Sequence, residues 1–89
     1  MTLTFKEEFE SALKYAIRNE EEFFAVKIFF EDTKTFEIII NPKDSLENKL
    51  AYYSQTYDNE LIHKHAKHIR IMDFAYGQSL ADIETAFMY

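Results

Sequence analysis

The chain contains no cysteine, one glycine and one proline in 89 residues. Without cysteine there is no disulfide framework, no thiol nucleophile and no thiolate-bound metal, so stability has to come from packing. One glycine is too few for a glycine-rich phosphate loop or a nucleophile elbow. Long apolar runs are lacking too: the longest, Phe23 to Phe30, is interrupted by Lys27 and falls well short of the roughly 20 residues that span a bilayer. No membrane association is therefore expected. Glu7, Glu8 and Glu10 stand where a secretory leader would carry positive charge and then an apolar stretch, which predicts a cytoplasmic protein.

What is present describes a folded domain. Hydrophobic residues make up 47% of the chain and aromatic residues 17%, a composition that excludes a disordered tail. A chain of this length buries only about 60 to 65% of its unfolded surface, enough for one core and no second domain. Residues 1–89 are thus read as a single domain.

Sixteen acidic residues against ten basic ones leave a formal charge of −6. That balance works against direct binding to nucleic acid, whose phosphates would repel the protein. The charge is unevenly placed. Residues 61–72 hold Lys64, Lys67, Arg70 and all three histidines without a single acid, and the remainder of the chain is correspondingly more acidic.

Thr4 and Glu7 have the spacing of a capping box, and Phe5, Phe9, Ala12, Leu13, Ala16 and Ile17 recur on one helical face, predicting a helix from Phe5 to Arg18 closed by Asn19. Two β-branched and aromatic stretches, FFAVKIFF and TFEIIIN, flank Glu31 to Lys34 and read as a hairpin ended by Pro42. Alternation predicts Val26, Ile28, Phe30, Phe36, Ile38 and Ile40 on one face, with Phe29 and Ile39 on the other. Asp44 or Ser45 is suited to cap a second helix bearing Leu46, Leu50, Tyr53, Tyr57 and Leu61. That helix runs as far as Ala66 or breaks near Asp58-Asn59. A third strand over Ile69 to Tyr76, a turn at Gly77 and a helix that turns Leu80, Ile83 and Phe87 inward complete the order α-β-β-α-β-α. The fold class is α+β, a three-stranded sheet packed against helices. The third strand can lie parallel to a neighbour or antiparallel beside the first.

His63, His65 and His68 fall within six positions, and neutral imidazole is a common ligand of zinc. On a continuous helix His65 and His68 share a face and His63 points away, whereas in an extended segment His63 and His65 share one. A structural zinc would need further ligands from Asp58, Glu60, Asp73 or a second chain. The alternative is a solvated polar face. No histidine elsewhere is available to pair with Ser45, Ser54 or Ser79, so a metal-dependent hydrolase at the histidine cluster is the enzymatic alternative.

Carboxylates on a rigid domain can imitate the phosphates of a nucleic acid and occupy a basic groove on a protein partner. Glu7, Glu8, Glu10, Glu20, Glu21, Glu22, Glu31 and Asp32 are the candidates, with Tyr52 as an aromatic contact off the buried stripe and Phe29, Tyr76 and Tyr89 as further ones. In its size, lack of cysteine, acid runs such as Glu20-Glu21-Glu22 and minimal α+β layout, the chain resembles the anti-CRISPR proteins, small acidic proteins that phages use against host defences. That resemblance implies a stoichiometric inhibitor that blocks nucleic-acid loading onto an effector nuclease. The expectation is a non-enzymatic acidic binder. A small homo-oligomeric regulatory protein is a further alternative.

Overall fold

In the computed structural model, which describes residues 2–88, Thr4 opens the first helix with a complete capping box. Its hydroxyl accepts from the Glu7 N–H at 3.1 Å, and the Glu7 carboxylate accepts from the Thr4 N–H at 2.9 Å. The helix, α1 (Phe5–Arg18), turns Phe9, Leu13 and Ala16 into the core. Phe5, expected on the same stripe, is exposed, because in the first turn it borders open grooves, one beside Asn59 and Glu60 and one beside the third strand. Asn19 does not take the left-handed conformation expected of it. Glu20 does, at φ 55°, and its N–H donates to Ile17 O at 3.2 Å while that of Glu21 donates to Ala16 O at 3.0 Å. These two bonds form a Schellman closure with glutamate where glycine is usual.

Strands β1 (Phe23–Phe30), β2 (Thr35–Pro42) and β3 (Ile69–Gly77) form one antiparallel sheet in the order β2-β1-β3. Of the two arrangements open to the third strand, the chain adopts the antiparallel return beside the first. After β2 a 3-10 turn, Lys43–Ser45, leads into α2 (Leu46–Thr56). Neither Asp44 nor Ser45 caps this helix: Ser45 is already helical at φ −99° and ψ −6°, and its hydroxyl turns back to Pro42 O. The predicted stripe holds, with Leu46, Tyr53, Tyr57 and Leu61 buried and Leu50 half-buried. The helix stops at the earlier of its two predicted ends, where Tyr57 becomes extended.

Helices α1 and α2 cover one face of the sheet, around Phe24, Val26 and Ile28. Phe9 lies at the centre, its ring edge-on to Phe24, Phe74 and Tyr53 at 5.7, 5.4 and 5.3 Å. Helix α3 (Leu80–Met88) covers part of the other face, setting Ile83 against Ala25 and Ala75. Its start is capped by Ser79, whose hydroxyl accepts from the Asp82 N–H at 3.2 Å. Small residues permit that approach. Gly77, predicted as a turn, is the last residue of β3, and a Cβ there would stand 2.6 Å from Asp82 Cβ.

The faces of β2 are the reverse of those predicted. Phe30 pairs with Thr35 across a four-residue connection, so each even-numbered residue of β1 stands opposite an odd-numbered residue of β2. Ile39 and Asn41 therefore join Val26 and Phe24 on the core face, while Phe36, Ile38 and Ile40 join Phe29, Lys27 and Ala25 on the other. These three are 53, 46 and 42% exposed, and the one buried residue of β2 is Asn41. Leu80, expected inward, is 52% exposed beside them because α3 meets the sheet through Ile83. Among the described residues no helix is long and apolar enough to cross a membrane. Tyr89, read from sequence as a possible contact, lies outside the described residues.

Candidate partner-binding surfaces

The Schellman closure of α1 places Glu20, Glu21 and Glu22 at the end of the sheet where β1 starts and β2 and β3 finish. Lys43 lies 3.7 Å from the Glu20 carboxylate and donates its N–H to Glu22 O at 2.8 Å. Asp44 and Glu47, from the 3-10 turn and α2, line a shallow groove with Glu20 and Lys43. Glu21 accepts from Gln78 Nε2 at 2.6 Å, and the Gln78 N–H donates to Asp82 Oδ2 at 3.2 Å. Three carboxylates adjacent in sequence thus become six around one end of the fold. Lys43 makes the ion pair found at this end among the described residues.

Glu31 and Asp32 sit at the opposite end, on the tip of the hairpin. Eight strand residues separate them from Glu22, roughly 25 Å. They face the basic segment: Arg70 lies 3.8 Å from Glu31, and His68 Nε2 lies 3.9 Å from Asp32. The structure therefore divides the predicted acidic surface in two, one half gathered with other acids and the other facing Arg70 and His68.

Tyr52 is 48% exposed on α2, with its ring edge against the buried Tyr53 and Lys49 Nζ 5.5 Å above it. Phe29 lies under the Arg70 guanidinium at 5.3 Å and against Phe36 at 4.9 Å. Tyr76 packs on Tyr15 of α1. Of the three rings singled out from sequence, Tyr52 is more exposed than Tyr76, at 48 against 38%.

The histidines lie in the connection from α2 to β3, which is not helical. Asp58 shapes it: its carboxylate accepts the N–H groups of Glu60 and Ile62 at 2.9 and 3.0 Å, and these donors, Ile62 foremost, hold its carboxyl below its usual value. Leu61 is left-handed at φ 63° and buried. The His63 ring meets Tyr57 edge-on at 5.4 Å and lies 6.3 Å from the His65 ring. Its Nδ1 accepts from the His65 N–H at 3.1 Å, which places the proton of a neutral ring on Nε2. His68 turns to Asp32 instead. Zinc in a structural site takes about four ligands. Among the described residues no group of three or more His, Asp or Glu side chains is drawn together to hold a metal ion.

Two features of these surfaces escaped sequence reasoning. Asp44, Glu47 and Asp82 join the acid cluster from remote segments, and no periodicity signals that meeting. The outer face of β2 is the other, and it follows from the pairing of Phe30 with Thr35 across the four-residue connection. Beside that face Ile38, Ile40, Leu80, Phe87 and Met88 line an apolar groove of about 500 Å³. No protein-family model, curated protein or solved structure matches the chain.

Proposed function

We propose that the protein is a non-enzymatic binding domain that docks its acidic end on a basic surface of a protein partner in the cytoplasm. The partner is a nucleic-acid-processing enzyme complex, and the docked domain blocks nucleic-acid loading by standing in for the phosphates. The observation that carries this reading is the assembly of Glu20, Glu21, Glu22, Asp44, Glu47 and Asp82 around one end of the sheet, anchored through Lys43 and Gln78. Fixed carboxylates from several segments present a field that a single exposed acid run on a mobile tail would not hold. Glu31 and Asp32, already facing Arg70 and His68, contribute little to it.

The test is a loading assay on a panel of purified effector nucleases and polymerases, with the protein added before the nucleic acid. Loading should fall in proportion to the protein added, and the effect should weaken as salt rises. Reversing Glu20, Glu21 and Glu22 to lysine should slow association by about tenfold or more at low salt, and reversing Glu31 and Asp32 should change it much less. An association rate indifferent to the first set rejects the assignment of the acidic end.

A further inference from the structure

The two edges of the sheet are treated differently. Along β3 the connection from α2 lies against the strand: Ile62 bridges Arg70, the His63 N–H donates to Ile69 O at 2.9 Å, and the Ile71 N–H donates to Leu61 O at 2.9 Å. That edge is occupied from Ile69 to Ile71. β2 has β1 as its one neighbour, and among the described residues no backbone hydrogen bond outside that pairing involves residues 35–42. Half of its N–H and C=O groups face outward unpaired.

Open edges are ordinarily guarded by lysine, internal proline or a bulge. β2 has none of these. Its register with β1 is regular from Thr35 to Pro42, its proline is the terminal residue, and Glu37 is its one charged side chain. Beside the edge, Phe36, Ile38 and Ile40 stand 42 to 53% exposed, with Leu80 and Met88 of α3 across the groove.

We infer that β2 is the interface of a symmetric homodimer, in which it pairs antiparallel with β2 of a second copy to make a six-stranded sheet. A two-fold axis sets one residue opposite its own equivalent, so every pair has the same parity. Phe36, Ile38, Ile40 and Pro42 can then meet only one another on the outer face. With the axis at Ile39, Ile38 faces the partner's Ile40, Glu37 faces the partner's Asn41, and Lys34 comes level with the partner's Asp44. Within the paired strands no like charges oppose. The antiparallel sense also lays Lys34 of the hairpin tip along the acidic end of the other copy, with Glu31 and Asp32 of that tip already faced by Arg70 and His68. A parallel pairing would set the two acidic ends side by side. This surface adjoins the acidic end through Asp44, and the inference does not rest on the function proposed for that end.

Light scattering and sedimentation of the full chain from roughly 1 to 500 µM, a range that covers interfaces of ordinary affinity, should show a mass rising to twice the 10.6 kDa of one chain. Ile38→Glu should weaken association by at least about 100-fold. The fold should tolerate it, since Ile38 is 46% exposed and stands opposite Lys27, whose Nζ lies 4.6 Å above the neighbouring Phe36 ring, and unchanged far-UV circular dichroism would verify this. Because the chain lacks cysteine, Ile38→Cys and Ile39→Cys read the register: whichever lies on the axis should form a disulfide-linked dimer under mild oxidation. Met72→Cys, on the strand at the other edge of the sheet, should not. A single-chain mass at every concentration, a dimer that survives Ile38→Glu, or cross-linking through Met72→Cys but neither β2 cysteine would overturn the inference.

Discussion

Asn41 donates its side-chain amide to the Tyr53 hydroxyl over 3.2 Å and so ties β2 to α2 through the core. Among the described residues Asn41 is the only buried polar side chain apart from tyrosines. Asn41→Leu should leave the Tyr53 hydroxyl without its donor and lower stability by about 1 to 3 kcal/mol in urea unfolding, the cost of an orphaned buried polar group. Tyr53→Phe should do the same from the other side. The double variant should cost less than the sum of the two, because neither partner is then stranded.

How far the fold was legible follows from which interactions are local. The capping box of Thr4 and Glu7 and the stripe of Phe9, Leu13 and Ala16 operate within one or two turns, and the sequence is sufficient to place α1. The faces of β2 depend on a cross-strand register. Three large residues at alternate positions, Phe36, Ile38 and Ile40, look like a core face until the pairing of Phe30 with Thr35 is known. Hydrophobic content misleads here because the strand buries Asn41 and exposes isoleucine. The candidate surfaces were legible in the same proportion. Glu20 to Glu22 are visible as a run, but their union with Asp44, Glu47 and Asp82 is tertiary, as is the pairing of His68 with Asp32 that separates it from His63 and His65.

Glu20 occupies the left-handed position of the α1 closure at φ 55°, where a Cβ is unfavourable and glycine is not. Glu20→Gly should raise stability by about 0.5 to 1 kcal/mol, seen as a higher urea midpoint at unchanged slope. Glu20→Ala keeps the Cβ and should give no such gain. The exposed ion pair with Lys43 is worth too little to reverse the sign.

Gly77 leaves no room for a side chain, since a Cβ would stand 2.6 Å from Asp82 Cβ. Gly77→Ala should push the first turn of α3 off the sheet and cost about 1 to 3 kcal/mol. Amide exchange should accelerate in residues 80–88 more than in α1. Uniform acceleration across the chain would mean that α3 does not yield separately.

Tyr57 carries the alkaline limit of the fold. Burial, with its neighbours Tyr52 and Tyr53, pushes its phenol from 10.0 up to about 12. The folded state therefore holds its proton where the unfolded state has lost it. That contribution is complete below about pH 10 and is lost as pH rises through 12. Urea midpoints should fall across this window, and Tyr57→Phe should flatten the fall, leaving the smaller part due to Tyr53, whose phenol burial also raises.

Asp58 acts at the other end of the scale. Its carboxyl is held low by the N–H groups of Ile62 and Glu60, so its contribution is present above the usual carboxylate range and is lost as pH falls below roughly 4. Amides of the 58–63 turn should become less protected in acid. In Asp58→Asn, whose amide oxygen still accepts but does not titrate, that protection should be independent of pH.

The segment lying along β3 also decides how large an object this domain can build. A sheet open on both sides is a unit of a polymer, because each added copy presents a fresh place to grow. A copy that arrives through β2 would bring a β3 whose Ile69–Ile71 stretch is already bound to its own Leu61, Ile62 and His63, which shortens the place where a further copy could pair. Loosening that hold on β3 would lengthen it.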